Sequence, residues 1–469
     1  MDLPEKVKET ITTMQKAGFE CFAVGGSVRD LLLSRPTKMW DFATNALPEQ
    51  IQQIFPDSFY NNNFGTVGIK IKDDKGELLE IFEITPYRKE GIYSDLRHPD
   101  KIEWATTLKE DLARRDFTIN AIAITLAVIA SEAKQSVPQH KKQIASSFTP
   151  RNDTVVVDPF NGQEDLKNKL IRAVGNPADR FAEDGLRLMR AIRIATQLRF
   201  LIEENTWRAL TTNSELLTKI SSERIRDELI KILSSDYPAD GVHLLYTSGL
   251  LEYILPELTK GVGMKQPGHH ISDVFTHSVD SLRSCKNPNW LVRFATLIHD
   301  IGKPTTYRDR GGKPTFYSHD SVGATIARHV ADRLHFRKEE REKLYMLVRW
   351  HMFSVSELLT DAAIRRFIRR IGPENTAEML DLRIADRLGS GAKQTSWRLE
   401  EFKKRIIQVQ QHIPSVKDLK VNGRDVMAVL GIPPSRQVGE ILDKLFEEIM
   451  DDPKKNEREY LLKRIKEVS

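Results

Sequence analysis

The period of the apolar positions changes along this chain. Up to about residue 125, short apolar runs alternate with helical stretches. From about residue 163 onward the 3.6-residue helical period holds nearly throughout, punctuated by Pro and Gly. Cys21 to Val24 is a short apolar run and predicts a buried strand. Val67-Gly-Ile-Lys-Ile-Lys and Leu79-Glu-Ile-Phe-Glu-Ile predict a hairpin closing around Asp73-Asp-Lys-Gly, and Pro86 ends its second strand. Residues 127–154 break the pattern. Ser131-Glu-Ala-Lys-Gln-Ser through Thr149-Pro-Arg-Asn-Asp is polar and without aromatic periodicity, which predicts an inserted surface loop. The expected class is α+β, a mixed sheet with helices at the head and an all-α body behind it.

At 469 residues the chain is too long for one ordinary core and predicts about three domains. Charged residues make up 29% and the net charge is +5, a mild basic excess compatible with nucleic acid but no proof of it. Cys21 and Cys285 are far apart in sequence, so neither a disulfide framework nor a zinc ribbon is implied. No apolar run approaches a membrane span, and Met1-Asp-Leu-Pro-Glu begins no signal peptide. A cytoplasmic protein with no membrane partner is expected.

The densest chemistry lies at 25–44. Gly25 and Gly26 follow the first strand, where glycines let backbone amides approach a polyphosphate. Arg29 sits one helical turn on and can meet a phosphate bidentately. Met39-Trp40-Asp41 reads as a second strand, which would put Met39 and Asp41 on one face. Nucleotidyl transfer wants two carboxylates there, holding two divalent ions about 4 Å apart. A thioether is soft and uncharged and cannot replace a hard oxygen ligand for magnesium. Glu83 reads either as a further carboxylate near the site or as a solvated strand residue.

Gly25, Gly26, Val28, Arg29, Asp30, Asp41 and Thr44 resemble motif A of the class II tRNA nucleotidyltransferases, the CCA-adding enzymes, and of the related bacterial poly(A) polymerases. The resemblance runs from about residue 20 to 465, with Met39 and the insertion as departures. It implies that Asp41 is catalytic and holds metal, with Met39 in the place of its partner Asp. Arg114-Arg115-Asp116-Phe117-Thr118-Ile119-Asn120 resembles motif B; Arg115 would hold triphosphate oxygens, while Asp116 and Asn120 satisfy local polar groups. A solvated arginine pair is the alternative. Tyr87 to Pro99 resembles the flexible loop used to complete the terminal A, and also reads as an ordinary solvated loop.

Glu183-Asp184-Gly185-Leu186-Arg187 is similar to the family's protein template for the incoming base. Cytosine and adenine each offer an amino donor beside a ring-nitrogen acceptor, so a carboxylate beside a guanidinium selects them over guanine and uracil. Asp184 and Arg187 stand at i and i+3, neighbours on a helix surface; an intrahelical ion pair is the plainer alternative. The family also uses Arg190 and Arg193 for the nucleotide. Yet a three-residue step drifts roughly 60° around a helix, which turns Arg193 almost opposite Asp184. Ser222-Glu-Arg-Ile-Arg-Asp-Glu resembles motif E, a brace for the neck. Val421-Asn-Gly-Arg-Asp-Val-Met resembles the tail, where Lys and Arg would meet tRNA phosphates.

His277, His299-Asp300 and Asp386 are spaced like an HD-domain phosphohydrolase, with Leu297-Ile-His-Asp-Ile-Gly-Lys as the core signature. Imidazoles with carboxylates suit a divalent transition metal or Mg2+ that activates water against phosphorus. His270, His319 and His351 fall in the same region and extend the candidate set.

The resemblance implies a nucleotidyltransferase head over 1–160 with its inserted loop, a helical neck with the nucleotide-recognition motif over 161–235, an HD domain over 236–395 and a tRNA-binding helical tail over 396–469. Gly26, Arg29, Arg115, Asp184, Arg187, Arg190 and Arg193 are the expected nucleotide contacts. The expected activity is template-independent addition or repair of the tRNA 3′ CCA from CTP and ATP with Mg2+, plus an HD phosphohydrolase site. The rivals are a poly(A) polymerase, and an HD hydrolase whose degenerate head survives as an RNA-binding module.

Overall fold

A computed structural model of the chain describes residues 2–37, 39–61, 65–73, 75–89, 103–127, 154–266, 272–353, 355–356, 359–410 and 416–469. The insertion, most of the loop predicted after Tyr87, and His270 lie outside the described residues.

The chain folds as two compact units, 1–254 and 255–469. The first is built on strands β1 (Cys21–Val24), β2 (Asp41–Thr44), β3 (Ser58–Asn61), β4 (Thr66–Lys72) and β5 (Leu78–Pro86). Two-residue strands β6 (Arg88–Lys89) and β7 (Glu103–Trp104) pair with each other, and β8 (Ala123–Leu126) and β9 (Thr154–Val157) complete the main sheet. Its order is β3-β4-β5-β2-β1-β8-β9. The predicted hairpin is present as antiparallel β4 and β5. Among the described residues only β2 and β5 run parallel in this sheet, after the crossover through helix Pro48–Ile54. That pairing sets Asp41 beside Glu83. Helix Glu5–Lys16 buries Val7, Thr10, Ile11 and Met14, the i, i+3, i+4, i+7 stripe of an amphipathic helix.

Met39 departs from the strand expected for it. β2 begins only at Asp41, and Met39 has φ +59°. A left-handed residue cannot continue a β-ladder, and the Met39 N–H goes to the Glu80 carboxylate. The same-face argument for Met39 and Asp41 therefore fails.

A second departure is at Asp184. Helix Pro177–Glu183 ends before it and helix Leu186–Leu198 starts after Gly185. Asp184 is extended (φ −146°) and its Oδ1 accepts from the Leu186 N–H at 3.0 Å. An Asp side chain competes with helical backbone in this way and caps the next helix.

The second unit is helical apart from one small hairpin, Arg308–Asp309 with Pro314–Thr315, among the described residues. The motif at 421–427 also has a local cause. Asn422 Oδ1 accepts from Arg424 N at 2.9 Å, and Asp425 Oδ2 accepts from Asn422 N at 2.8 Å, a capping box that starts helix Gly423–Leu430. That helix packs into a core formed by Val426, Leu445, Ile449, Leu461 and Ile465. Helices Pro238–Thr247 and Leu251–Ile254 belong to the first unit, so the compact boundary falls after the 235/236 division expected for the neck.

Candidate functional site

Two groups of side chains carry chemistry, one in each unit. In the first, Val24 pairs with Asp41 across β1 and β2, so the chain leaving β1 passes directly beside that carboxylate. Gly25 has φ +82° and ψ −146°, a conformation for glycine alone. A methyl there would stand 3.2 Å from Arg115 Nη1 and 3.5 Å from Asp41 Oδ2; one on Gly26 would stand 3.5 Å from Arg29 Nη2. The glycines thus keep open a space edged by Asp41, Arg115 and Arg29.

Asp41 is the carboxylate of this group whose proton affinity is raised. Crowding by protein around the carboxylate pushes it up to about 6, Glu83 adds to this, and Arg115 opposes it. The residue is nonetheless exposed to solvent, so the shift has little consequence for stability. Its meaning is local: two carboxylates share one edge of the site, and one holds a proton readily until a cation replaces it. Oxygen donors of this kind fit a hard divalent ion, whereas Met39, 72% exposed, offers none.

The arginines are held from behind. Asp111, buried, accepts from Arg114 at 2.6 Å and from Arg115 Nη2 at 3.2 Å; burial opposes its ionisation, but the two guanidiniums outweigh it and keep it low. Arg29 forks onto Asp30 at 2.9 and 3.0 Å and donates to Asn120 Oδ1 at 2.9 Å. Asn120 donates in turn to Asp116 at 3.0 Å, and Asp116 accepts from Arg190 at 2.8 and 2.5 Å. Burial works against the Asp116 charge, but Arg190 and Asn120 hold its carboxyl well below the usual range.

The expected base-reading pair is not joined. Asp184 Oδ2 accepts from Arg224 at 2.7 Å, while Arg187 pairs with Glu183 and donates to the carbonyls of Arg180 and Arg114 at 3.0 Å each. Arg193 pairs with buried Glu228 at 2.6 Å. Arg190 and Arg193 thus each reach a buried carboxylate, Asp116 and Glu228. The bracing expected of motif E is present in Arg224 and Glu228. Glu183 with Arg187, at i and i+4, was the legible sequence signal for the ion pair that does form.

In the second unit, His277, His299, Asp300 and Asp386 come together. His277 Nε2 lies 3.2 Å from His299 Nε2, 3.4 Å from Asp300 Oδ2 and 3.2 Å from Asp386 Oδ1. His319 Nε2 lies 3.3 Å and His351 Nε2 3.7 Å from the other oxygen, Asp300 Oδ1. Two groups with metal-ligand geometry result, His277–His299–Asp300 and Asp300–His319–His351, which share Asp300.

The imidazoles are set for ligation. Nδ1 of His299, His319 and His351 donates to the carbonyl three residues earlier, at 2.7, 2.8 and 2.7 Å. A carbonyl only accepts, so Nδ1 carries the proton and Nε2 faces the carboxylates, as a metal requires. Burial lowers the proton affinity of His351, which keeps it neutral. Burial also acts against a charge on His299, but Asp300 and Asp386 overcome it and raise it to about 10. The donor set thus calls for a cation. Lys303, missed by sequence reasoning except as a letter of the signature, is buried and 2.5 Å from Asp300. The group opens into a cavity of about 700 Å³.

Known proteins resemble the chain over its whole length. The Poly A polymerase head domain matches residues 21–172, the RNA and SrmB binding site of polymerase A 199–261, the HD domain 273–390 and tRNA nucleotidyltransferase domain 2 residues 355–465. A CCA-adding enzyme of Ligilactobacillus salivarius is 31% identical over 471 residues, covering 100% of this chain and 98% of the relative. An A-adding tRNA nucleotidyltransferase of Deinococcus radiodurans is 34% identical over 364 residues, 74% of this chain and 76% of its own. Among solved structures, the Bacillus stearothermophilus CCA-adding enzyme in complex with CTP superimposes with a TM-score of 0.69 at 25% identity, covering 100% of this chain and 98% of that one.

Proposed function

The chain belongs to the CCA-adding enzymes, and on that premise we propose how its own residues divide the work of building the tRNA 3′ end from CTP and ATP. The observation that carries the assignment is the end-to-end likeness to a CCA-adding enzyme, head, HD domain and tail included. Neither a poly(A) polymerase nor a bare HD hydrolase accounts for it as well. Both kinds of domain depend on divalent metal ions. We assign Mg2+ to the head, in the cytoplasm where tRNA is completed.

In the head, Asp41 and Glu83 would hold the cation, which when bound neutralises charge developing on the α-phosphate. Gly26, Arg29 and Arg115 hold the triphosphate; Asp111 and Asn120 fix the two guanidiniums so that they need not reorganise on binding. The tRNA 3′ hydroxyl attacks the α-phosphorus and pyrophosphate leaves. Asp184 accepts from the amino group of cytosine or adenine, and Arg187 donates to the ring nitrogen. Arg224 and the Leu186 N–H hold the Asp184 carboxylate in place. Arg190 and Arg193 are positioning residues, joining neck to head through Asp116 and neck helix to neck helix through Glu228. The functional division remains head to about 160, neck to 235, HD domain to 395 and tail to 469.

The assignment is tested by incorporation of labelled CMP and AMP into tRNA lacking CCA. Asp184→Ala should relax base choice more than it raises the KM for nucleotide, because the phosphate contacts stay. Loss of one charge-assisted hydrogen bond is worth about 1.5–3 kcal/mol, so discrimination against UTP should fall roughly ten- to a hundredfold. Unchanged rejection of UTP and GTP would leave Asp184 as a helix cap and nothing more.

A pH profile tests the Asp41 edge. Asp41 must release its proton to take a cation, and its proton affinity is raised to about 6. Below that pH the half-saturating magnesium concentration should climb, approaching tenfold per pH unit; above it the concentration should be flat. A flat response through pH 5 would remove Asp41 from the metal site.

For the HD group we propose hydrolysis of phosphate esters, with one cation on His277, His299 and Asp386, a second on His319 and His351, and Asp300 common to both. A divalent transition metal suits the imidazoles, and when bound it supplies an activated water. Lys303 is placed to stabilise the charge of the phosphoryl oxygens.

A further inference from the structure

The HD cavity does not end at the metal ligands. A second cavity of about 510 Å³ adjoins it and shares Met352, Arg383 and Arg387 with it. Arg383 and Arg387 stand one turn apart on helix Thr376–Gly389, the helix that also carries Asp386. Arg383 donates to Asp386 Oδ2 at 3.0 Å and Arg387 to the Lys393 carbonyl at 3.3 Å, while Nε of each is buried with no hydrogen-bond partner. A guanidinium has five N–H donors; with Nε sealed from solvent and one Nη donor used in each, the other Nη donors retain capacity for an anion. The far wall is the first turn of helix Trp397–Gln410, where Trp397 is 63% exposed. Arg398 lies 5.3 Å from its ring centre. Metal carboxylates, two arginines and an exposed indole thus line two adjoining cavities in turn.

That sequence of groups is more than a mononucleoside phosphate needs. Each cavity alone has the size of a small-ligand site, about 300–1,000 Å³. An arginine pair followed by an exposed aromatic is the arrangement that tracks a nucleic-acid strand, backbone on cations and base on ring. Resting on the HD reading above, we propose that the hydrolytic site takes a single-stranded RNA end at least two nucleotides long, with its reacting phosphate at the Asp300 cluster, the next phosphate on Arg383 and Arg387, and the adjoining base stacked on Trp397. In the reaction the oxygen of water bonds to phosphorus, the ester P–O bond breaks, and the leaving ribose oxygen takes up the proton that water gives up. Trp397 is then a specificity residue of the hydrolase, and tRNA addition in the head does not use it.

The test compares hydrolysis of a dinucleotide ending in a 2′,3′-cyclic phosphate with that of adenosine 2′,3′-cyclic phosphate, in manganese, nickel and magnesium. The dinucleotide should have a kcat/KM at least about tenfold higher, since stacking of one base is worth roughly 1–3 kcal/mol. Trp397→Ala should bring the ratio of the two substrates close to one, mainly through KM, and Trp397→Phe should restore most of it. Arg387→Gln should make the dinucleotide KM less sensitive to salt. A ratio near one in the parent protein, or a ratio that Trp397→Ala does not move, overturns the proposal while leaving the hydrolase reading intact. A loss of CMP addition in Trp397→Ala equal to the loss of hydrolysis also overturns it, by giving Trp397 to the tRNA body. If no ester is hydrolysed with any metal, the hydrolase reading fails; equilibrium binding of a dinucleotide bearing a 3′-phosphate then decides the cleft, with Trp397-dependent binding supporting it and Trp397-independent binding overturning it.

Discussion

Replacing Asp41 with asparagine is expected to cut CMP addition by about a thousandfold or more. The amide matches the carboxylate in size but carries no charge, and charge stabilisation through a metal is worth several kcal/mol, at about 1.4 kcal/mol per factor of ten. The residue is exposed at the start of β2, so the fold should be unaffected and the thermal midpoint should move little. Glu83→Gln should produce a smaller loss in the same direction, because Glu83 is the neighbour of Asp41 across β2 and β5. Met39→Asp should act the other way and raise the rate at least about tenfold. Aspartate enters the left-handed region more readily than methionine does, and Met39 is 72% exposed at φ +59°, so nothing has to repack. The added carboxylate would stand two residues before Asp41, where motif A of the family has one. Incorporation of labelled CMP by the three variants is the measurement. A near-normal rate in Asp41→Asn would dismiss this end of the sheet as the metal clamp. An unchanged rate in Met39→Asp, beside a large loss in Glu83→Gln, would make Glu83 the working partner of Asp41.

The sequence carried the chemistry of both sites further than it carried their geometry. Gly25, Gly26, Arg29, Asp41 and Arg115 were legible because a strand-glycine-helix passage and a twin arginine have few other uses in that order, and the structure gathers them around one space. The role of Glu83 was undecidable from spacing. It depends on β2 and β5 running parallel in one register, a long-range fact that alternating residues do not encode. The same limit explains the arginine row. A helical count puts Arg190 and Arg193 on drifting faces, but their partners, Asp116 and Glu228, lie 74 and 35 residues away. The i, i+3 spacing set Asp184 and Arg187 on one helix surface; Gly185 and the capping habit of Asp were the local signals that the helix starts only after Asp184. The histidines were the opposite case. His319 and His351 were legible only as residues in the right region; the fold brings both to Asp300, each held by an Nδ1–carbonyl bond, to Phe316 in the turn before its helix and to Val348 in the helix before it.

The second large effect is expected at Asp300. Asp300→Asn should abolish metal-dependent hydrolysis of a generic phosphodiester such as bis(p-nitrophenyl) phosphate, because this one carboxylate faces both groups of imidazoles. His319→Ala or His351→Ala removes a ligand from one group only, so each should leave the other cation in place. Counted in an Asp41→Asn background, which removes the head's cation, the protein should therefore bind two equivalents of manganese, the two histidine variants one, and Asp300→Asn fewer than either. Asp300 also balances buried Lys303 at 2.5 Å, and removing one partner of a buried pair costs about 3–5 kcal/mol. A melting curve is needed beside the assay, and His299→Gln, which leaves Asp300 and Lys303 paired, supplies a variant with less strain on the fold. CMP addition should stay within a few-fold in all of them, because Asp41, Arg115 and Asp184 lie in the other compact unit with their own carboxylates. Parallel loss of both activities at unchanged protein concentration would mean that the histidine cluster mainly holds the helical body together. Full hydrolysis by Asp300→Asn would place the reactive metal elsewhere, and with it the cleft that leads to Trp397.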